Sequence, residues 1–302
     1  GLYEEERAWR AGVYVAFYTL GGAAAFWEAW PFESALREPV GYIDNWIKQN
    51  WAGLPMRRET RARMSAPKMA ECLKGVARFV ADNAYGSADF DDLYHYQMEE
   101  IKYFGRYAKS KYIESLRRAG LTKAQMYDIR PAGGWSPRWT LSFVYPDHDE
   151  LLNSGKDNHD TLHWINKIIA LDLYQETREK VGDRLDWFKF ETLLCNYRQA
   201  LEGRHPGRTH DTELVYWCKA QEYWPHLEFD FFGLREQLFP RVCLGELQGW
   251  YEPRPELSEV YQRHRVLWSD AKYDYKETRR IGSWANPVLR TEYVPSAVAT
   301  SS

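Results

Sequence analysis

The sequence predicts an all-α protein: one N-terminal transmembrane helix, then an irregular array of helices and an extended C-terminal tail. Two observations carry this expectation. Residues 11–27 (AGVYVAFYTLGGAAAFW) run without a charge between Arg10 and Glu28. Downstream, apolar residues recur at intervals of three and four, the period of an amphipathic helix, and strand-like alternation is confined to one short stretch.

As a continuous helix at about 1.5 Å per residue, the uncharged run reaches roughly 26 Å, just short of a hydrocarbon core of about 30 Å. Trp9, Tyr14, Trp27 and Trp30 lie toward its ends, where amphipathic rings favour a membrane boundary. Gly12, Ala16, Gly21, Gly22 and Ala25 would let a second helix approach closely. These features predict a membrane anchor over 1–30; a core helix buried in the protein itself is the alternative for so short a run. Arg37, Lys48, Arg57 and Arg58 on its C-terminal side outnumber Arg7 and Arg10 on the other, which would place the body on the matrix-equivalent side.

A helical region is expected over 31–130. Val40, Ile43, Trp46, Ile47 and Trp51 predict a helix from near Pro39 to near Gly53. Ser65 and Pro67 open another, with Met69, Cys72, Leu73, Val76, Phe79 and Val80 as its apolar stripe. A third helix is expected to run unbroken from Asp89 to Gly120, with Arg117 and Arg118 in the last turn. Thr122 and Gln125 have the spacing of a capping box and predict a further short helix. Residues 131–157 read as an irregular linker punctuated by proline and glycine, in which 139–145 (WTLSFVY) is expected to be extended.

A second helical region is expected over 158–281. Its segments are 162–173, 185–201, a helix from about Asp211 to Trp224 closed by Pro225, 234–247 and 255–275. Residues 282–302, with Pro287 and Pro295, read as a tail that holds its shape only against a partner.

Composition narrows function by exclusion. A net charge of −3 gives no basic field for nucleic acid. A mean hydropathy of −0.63 leaves no room for further spans. Cys72, Cys195, Cys218 and Cys243 include no CxxC pair, so neither a zinc ribbon nor a disulfide scaffold is indicated. The chain starts at Gly1, and removal of a targeting segment from a longer precursor would fit import into an organelle. The aromatic share is 16%, with 14 Trp and 21 Tyr, residues favoured at protein interfaces.

Reactive patterns are sparse. His159 and His163, at i and i+4, share one helix face, and with His95 on another predicted helix they form the one candidate metal set. Helix-start capping and solvent exposure are the structural explanation of the same residues. HExxH, GxSxG and GxGxxG signatures are absent, so no cofactor is expected. The mixed charges Glu99, Glu100, Lys102, Arg106, Lys109, Lys111 and Glu114 read as a solvated helix face with i,i+4 pairs, or as a contact surface for a neighbouring subunit.

Residues 38–40 (EPV) with the aromatic helix after them, and residues 91–116 (DDLYHYQMEEIKYFGRYAKSKYIESL), resemble the PDSW-type accessory subunits of mitochondrial respiratory complex I. The paired-cysteine helices of that family have no counterpart here. The resemblance implies a non-catalytic accessory subunit of an inner-membrane oxidative-phosphorylation complex, with other subunits and membrane lipid as partners. Complex I is the first expectation, with ATP synthase or another respiratory complex behind it. A membrane-tethered all-α metalloenzyme built on His95, His159 and His163 is the alternative of a different class.

Overall fold

The structure is a computed structural model that describes residues 3–57, 65–86, 88–129, 135–148, 170–201 and 208–228. All regular structure among them is helical, as the sequence predicts. The chain divides into two compact units. One comprises Gly1–Arg198 with Ala220–Leu227; the other comprises Gln199–Lys219 with Glu228–Ser302.

The first unit is built around α1 (Glu4–Phe17), which opens on Glu4, Glu5 and Glu6, the charge sign that suits a helix N-terminus. It packs against α2 (Leu20–Ala29), α5 (Ala66–Ala81) and α6 (Arg106–Arg118). The crossing is tight at Gly12. A Cβ there would lie 2.3 Å from Val76 Cγ1 on α5 and 3.0 Å from the Tyr112 ring on α6, so only glycine fits. Tyr112 closes the same crossing by donating its hydroxyl to Ala8 O at 3.0 Å.

The uncharged run is not one helix, and this corrects the expected span. Tyr18 adopts a left-handed conformation (φ 56°) that ends α1. Thr19 is extended and starts α2, accepting from Gly22 N at 3.2 Å and donating to Pro55 O at 2.6 Å. Among the described residues no helix is long and apolar enough to cross a membrane. The apolar side chains of the run, Val13, Val15, Phe17 and Phe26, are instead buried inside this unit. Burying each contributes about 1.5–3 kcal/mol, so the core gives these residues what a bilayer would have given them.

Helices α3 (Phe32–Arg37) and α4 (Val40–Asn50) pack on α5, and α4 runs on as a 3-10 turn over Trp51–Gly53. Side chains from other helices close both ends of α3. Glu6 accepts from Phe32 N at 3.1 Å, and Lys74 Nζ donates to the carbonyls of Ala35 (3.0 Å), Glu38 (2.7 Å) and Leu36. A short helix that could not satisfy its own ends is thereby fixed to α1 and α5. Ser65 and Pro67 open α5 where expected, and its apolar stripe is buried.

The helix expected from Asp89 to Gly120 is interrupted. Asp89 caps a short start by accepting from Asp92 N at 2.8 Å, and Asp92–Gln97 then forms a π turn in which Met98 N donates to Leu93 O at 3.0 Å. The wide turn has a packing cause: Leu93 and Met98, five apart, both face the core. Residues 98–105 are irregular, with Tyr103 at φ 66°, and α6 follows with Arg117 and Arg118 in its last turn. Arg7 Nη1 donates to Ala119 O at 3.0 Å and closes the end of α6.

Two further expectations are corrected. Residues 122–125 form no helix; Thr122 Oγ1 accepts from Ala124 N at 3.2 Å in a local turn that competes with helix initiation. Residues 139–144 are not extended, because they belong to α7 (Trp135–Val144), and Tyr145 follows directly on its end. Its buried Thr140 and Leu141 are adjacent, which alternation across a sheet does not produce.

Helices α8 (Leu171–Val181) and α9 (Trp187–Leu201) follow, facing each other through stacked Tyr174 and Trp187, with ring centroids 4.1 Å apart. Helix α10 (Arg208–Tyr223) stops at Pro225, as the sequence predicts. Its last turn leads to Trp224, itself part of the first unit, which donates Nε1–H to Gly53 O at 3.0 Å and stacks on Trp46 of the same unit. In the second unit the described residues of 199–219 are helical, and Glu213, Tyr216 and Trp217 are buried. The helices expected at 234–247 and 255–275, the tail at 282–302 and most of 162–173 lie outside the described residues.

Candidate functional site

Of the metal set, only His95 is described; His159 and His163 lie outside the described residues. His95 stands on the solvent side of the π turn, 58% exposed, with Nε2 3.9 Å from Asp91 Oδ1. Asp91 is oriented by Tyr127, whose hydroxyl donates to Oδ1 at 2.8 Å. Among the described residues no group of three or more His, Cys, Asp and Glu side chains has the geometry to hold a metal.

Beside the π turn lies an open cleft of about 370 Å³, floored by Phe90 and edged by Asp89, Asp91, Lys123, Gln125 and Tyr127. Phe90 is held by ring contacts to Tyr94, Tyr127 and Phe188. The cleft offers solvated hydrogen-bonding groups of both charge signs. It presents no nucleophile with a base behind it.

The chemically denser constellation is interior, and it includes two residues read from sequence as a solvated face. Lys111 on α6 donates to Glu114 Oε2 at 2.8 Å and to Glu191 Oε2 on α9 at 3.0 Å. The side chains of Lys111, Glu114 and Glu191 are 12%, 8% and 3% exposed. Arg118 donates to the second oxygen of Glu114, and Cys195 Sγ donates to the second oxygen of Glu191 at 3.4 Å. Lys111 Nζ also sits 5.5 Å from the Tyr107 ring centroid, and the Tyr107 hydroxyl is 2.8 Å from that of Tyr18. Burial opposes the charge on Lys111, but Tyr107, Glu191, Glu114 and Tyr18 outweigh it and hold the ammonium above its ordinary range.

Each carboxylate of this cluster has a cationic partner and all four oxygens are engaged. Glu191 stands 80 residues from Lys111 along the chain, beyond any i,i+4 rule. The rest of the predicted charged face is as expected: Lys109 pairs with Glu99, and Lys102 pairs with Glu71 at 3.1 Å.

The other exposed feature is aromatic. Tyr42 (62% exposed) and Tyr96 (72%) project from α4 and the π turn, with Tyr103, Tyr127 and Tyr197 also exposed. None of the family models, curated proteins or solved structures compared with this chain matches it.

Proposed function

We propose that the protein is a non-catalytic accessory subunit of a mitochondrial inner-membrane oxidative-phosphorylation complex. Respiratory complex I is the first candidate, and ATP synthase or another respiratory complex follows. The observation that carries this reading is the exposed tyrosine set on a helical body whose buried Glu114 and Glu191 are already paired. Rigid amphipathic rings at the surface are characteristic of contact surfaces, where a few of them supply most of the binding energy. The resemblance of residues 91–116 to PDSW-type subunits points the same way, and those residues include Tyr96 and the π turn.

The exposed tyrosines are the surface through which such a subunit would attach. Residues 11–27 lie largely inside the protein's own core, so the charge comparison across them does not orient the body. Native purification of the untagged protein in mild detergent, with identification of everything that comigrates, tests the proposal. Comigration with respiratory-chain subunits is expected; migration as a free chain overturns it.

A further inference from the structure

The buried charges of Lys111, Glu114 and Glu191 do more than fill space, because they lie where α9 is joined to the body. Among the described residues, the most closely packed helix pairs of the first unit are α1 with α2, α5 and α6, and α5 with α3 and α4, and α9 is in none of these. Among the described residues, side chains link α6 to α9 and to the residue just before it: Lys111 to Glu191 at 3.0 Å and Arg117 to Asp186 at 3.4 Å. The apolar residues of α9 face elsewhere as well. Trp187 stacks on Tyr174 of α8, Phe188 meets Phe90, and Thr140 of α7 donates to Leu194 O at 2.7 Å.

We propose that Lys111, Glu114 and Glu191 form an acid-sensitive interlock that fastens α9 to α6, and that protonating its carboxylates frees α9 while the α1, α5 and α6 core stays folded. Charge balance gives the reason. With both carboxylates ionised, Lys111 and Arg118 are matched by Glu114 and Glu191. If Glu191 is neutralised, Lys111 keeps its charge in a nearly dry site with one counter-charge, which Arg118 already shares. Removing one partner of a buried pair costs far more than the pair contributes, since the remaining ion must be resolvated. Undocking α9 admits water to it.

The other polar groups around the site do not replace Glu191. Tyr107 and Tyr18 supply hydroxyls and a ring face, and Cys195 donates to Glu191 rather than to Lys111. From α7, the charged side chain is Arg138, which carries the same sign as Lys111. Arg117 and Asp186, about a quarter exposed, form a solvated pair that contributes little by itself.

Hydrogen exchange of the full chain, read by mass spectrometry and corrected for intrinsic rates, tests the proposal between about pH 7 and about pH 2.5, because a carboxylate held by cations gives up its contribution only below the pKa it has once released. In the wild type, amides of 187–197 should lose protection as pH falls, before those of Ala66–Ala81 and Arg106–Arg118 do. Glu191→Gln, which mimics the protonated side chain, should expose 187–197 at pH 7 by at least about tenfold, leaving α5 protected. A variant carrying Lys111→Met and Glu191→Leu should keep 187–197 protected at both pH values. Loss of α9 and α5 protection together, an unaltered Glu191→Gln protein, a Glu191→Gln protein that fails to fold at all, or acid release persisting in the double variant would each overturn it.

Discussion

Tyr85 and Tyr112 flank the same ring, Phe79, at centroid distances of 6.1 and 5.4 Å, yet their hydroxyls are in opposite situations. The Tyr112 hydroxyl donates to Ala8 O, whereas the buried Tyr85 hydroxyl has no hydrogen-bond partner among the described residues. Substitution by phenylalanine should therefore act with opposite sign at the two positions. Tyr112→Phe removes a buried hydrogen bond to a carbonyl that keeps its own helical donor and should cost about 0.5–1.5 kcal/mol, while Tyr85→Phe removes an unpaired polar atom and should stabilise by up to ~1 kcal/mol. Urea midpoints of the two variants measure this, and equal signs would contradict the hydrogen-bond assignment. The same burial sets an alkaline limit. Burial raises Tyr112 well above the ordinary phenol value and pushes Tyr94 up to about 12. The unfolded phenol ionises near pH 10, so above that pH the unfolded state binds fewer protons than the folded one. Stability from these groups is fully present below about pH 10 and is lost as pH rises toward the folded values. Phenolate absorbance at 295 nm should show these tyrosines ionising only with unfolding, and Tyr94→Phe should flatten the loss of stability between about pH 10 and about pH 12.

At the scale of elements, the break between α1 and α2 decides how the apolar N-terminal run is used. Thr19 ties it to the chain at Pro55 and to the first turn of α2. Thr19→Ala should cost about 1–2 kcal/mol and raise hydrogen exchange first in Leu20–Ala29, whereas Thr19→Ser should retain most of the stability. A Thr19→Ala protein with unaltered exchange in that helix would mean that packing alone sets the break. This break shows where sequence legibility ends. Helices closed by local chemistry were readable: Ser65 and Pro67 open α5, Pro225 stops α10, and Arg117 and Arg118 end α6. Elements decided by distant partners were not. Nothing local to Tyr18 announces Pro55, the π turn follows from the core accepting both Leu93 and Met98, and 139–144 has β-rich composition inside a helix. The buried cluster was half legible. Lys111 and Glu114 carry the spacing of a helix-face pair, but the carboxylate that places them inside is Glu191, far along the chain.

For the whole molecule, the question is which aromatic residues the core consumes and which remain for a partner. Trp9, Phe17, Phe26, Tyr112 and Phe190 are fully enclosed, and the N-terminal run that resembles an anchor belongs with them. Tyr42 and Tyr96 do not: removing them exposes no cavity, and surface substitutions away from caps and buried groups usually change stability by less than about 0.5 kcal/mol. Replacing both by serine should leave the denaturation midpoint and the helical circular dichroism close to wild type. If these rings are contact anchors, each lost anchor removes about 2 kcal/mol or more of binding free energy, and the variant should fall out of the native complex. Denaturation and native-gel comigration on the same preparation separate the two effects. A variant that is stable and still comigrates at wild-type yield would show that Tyr42 and Tyr96 are ordinary solvent-exposed residues, and the assembly surface would then have to lie on another face of the helical body.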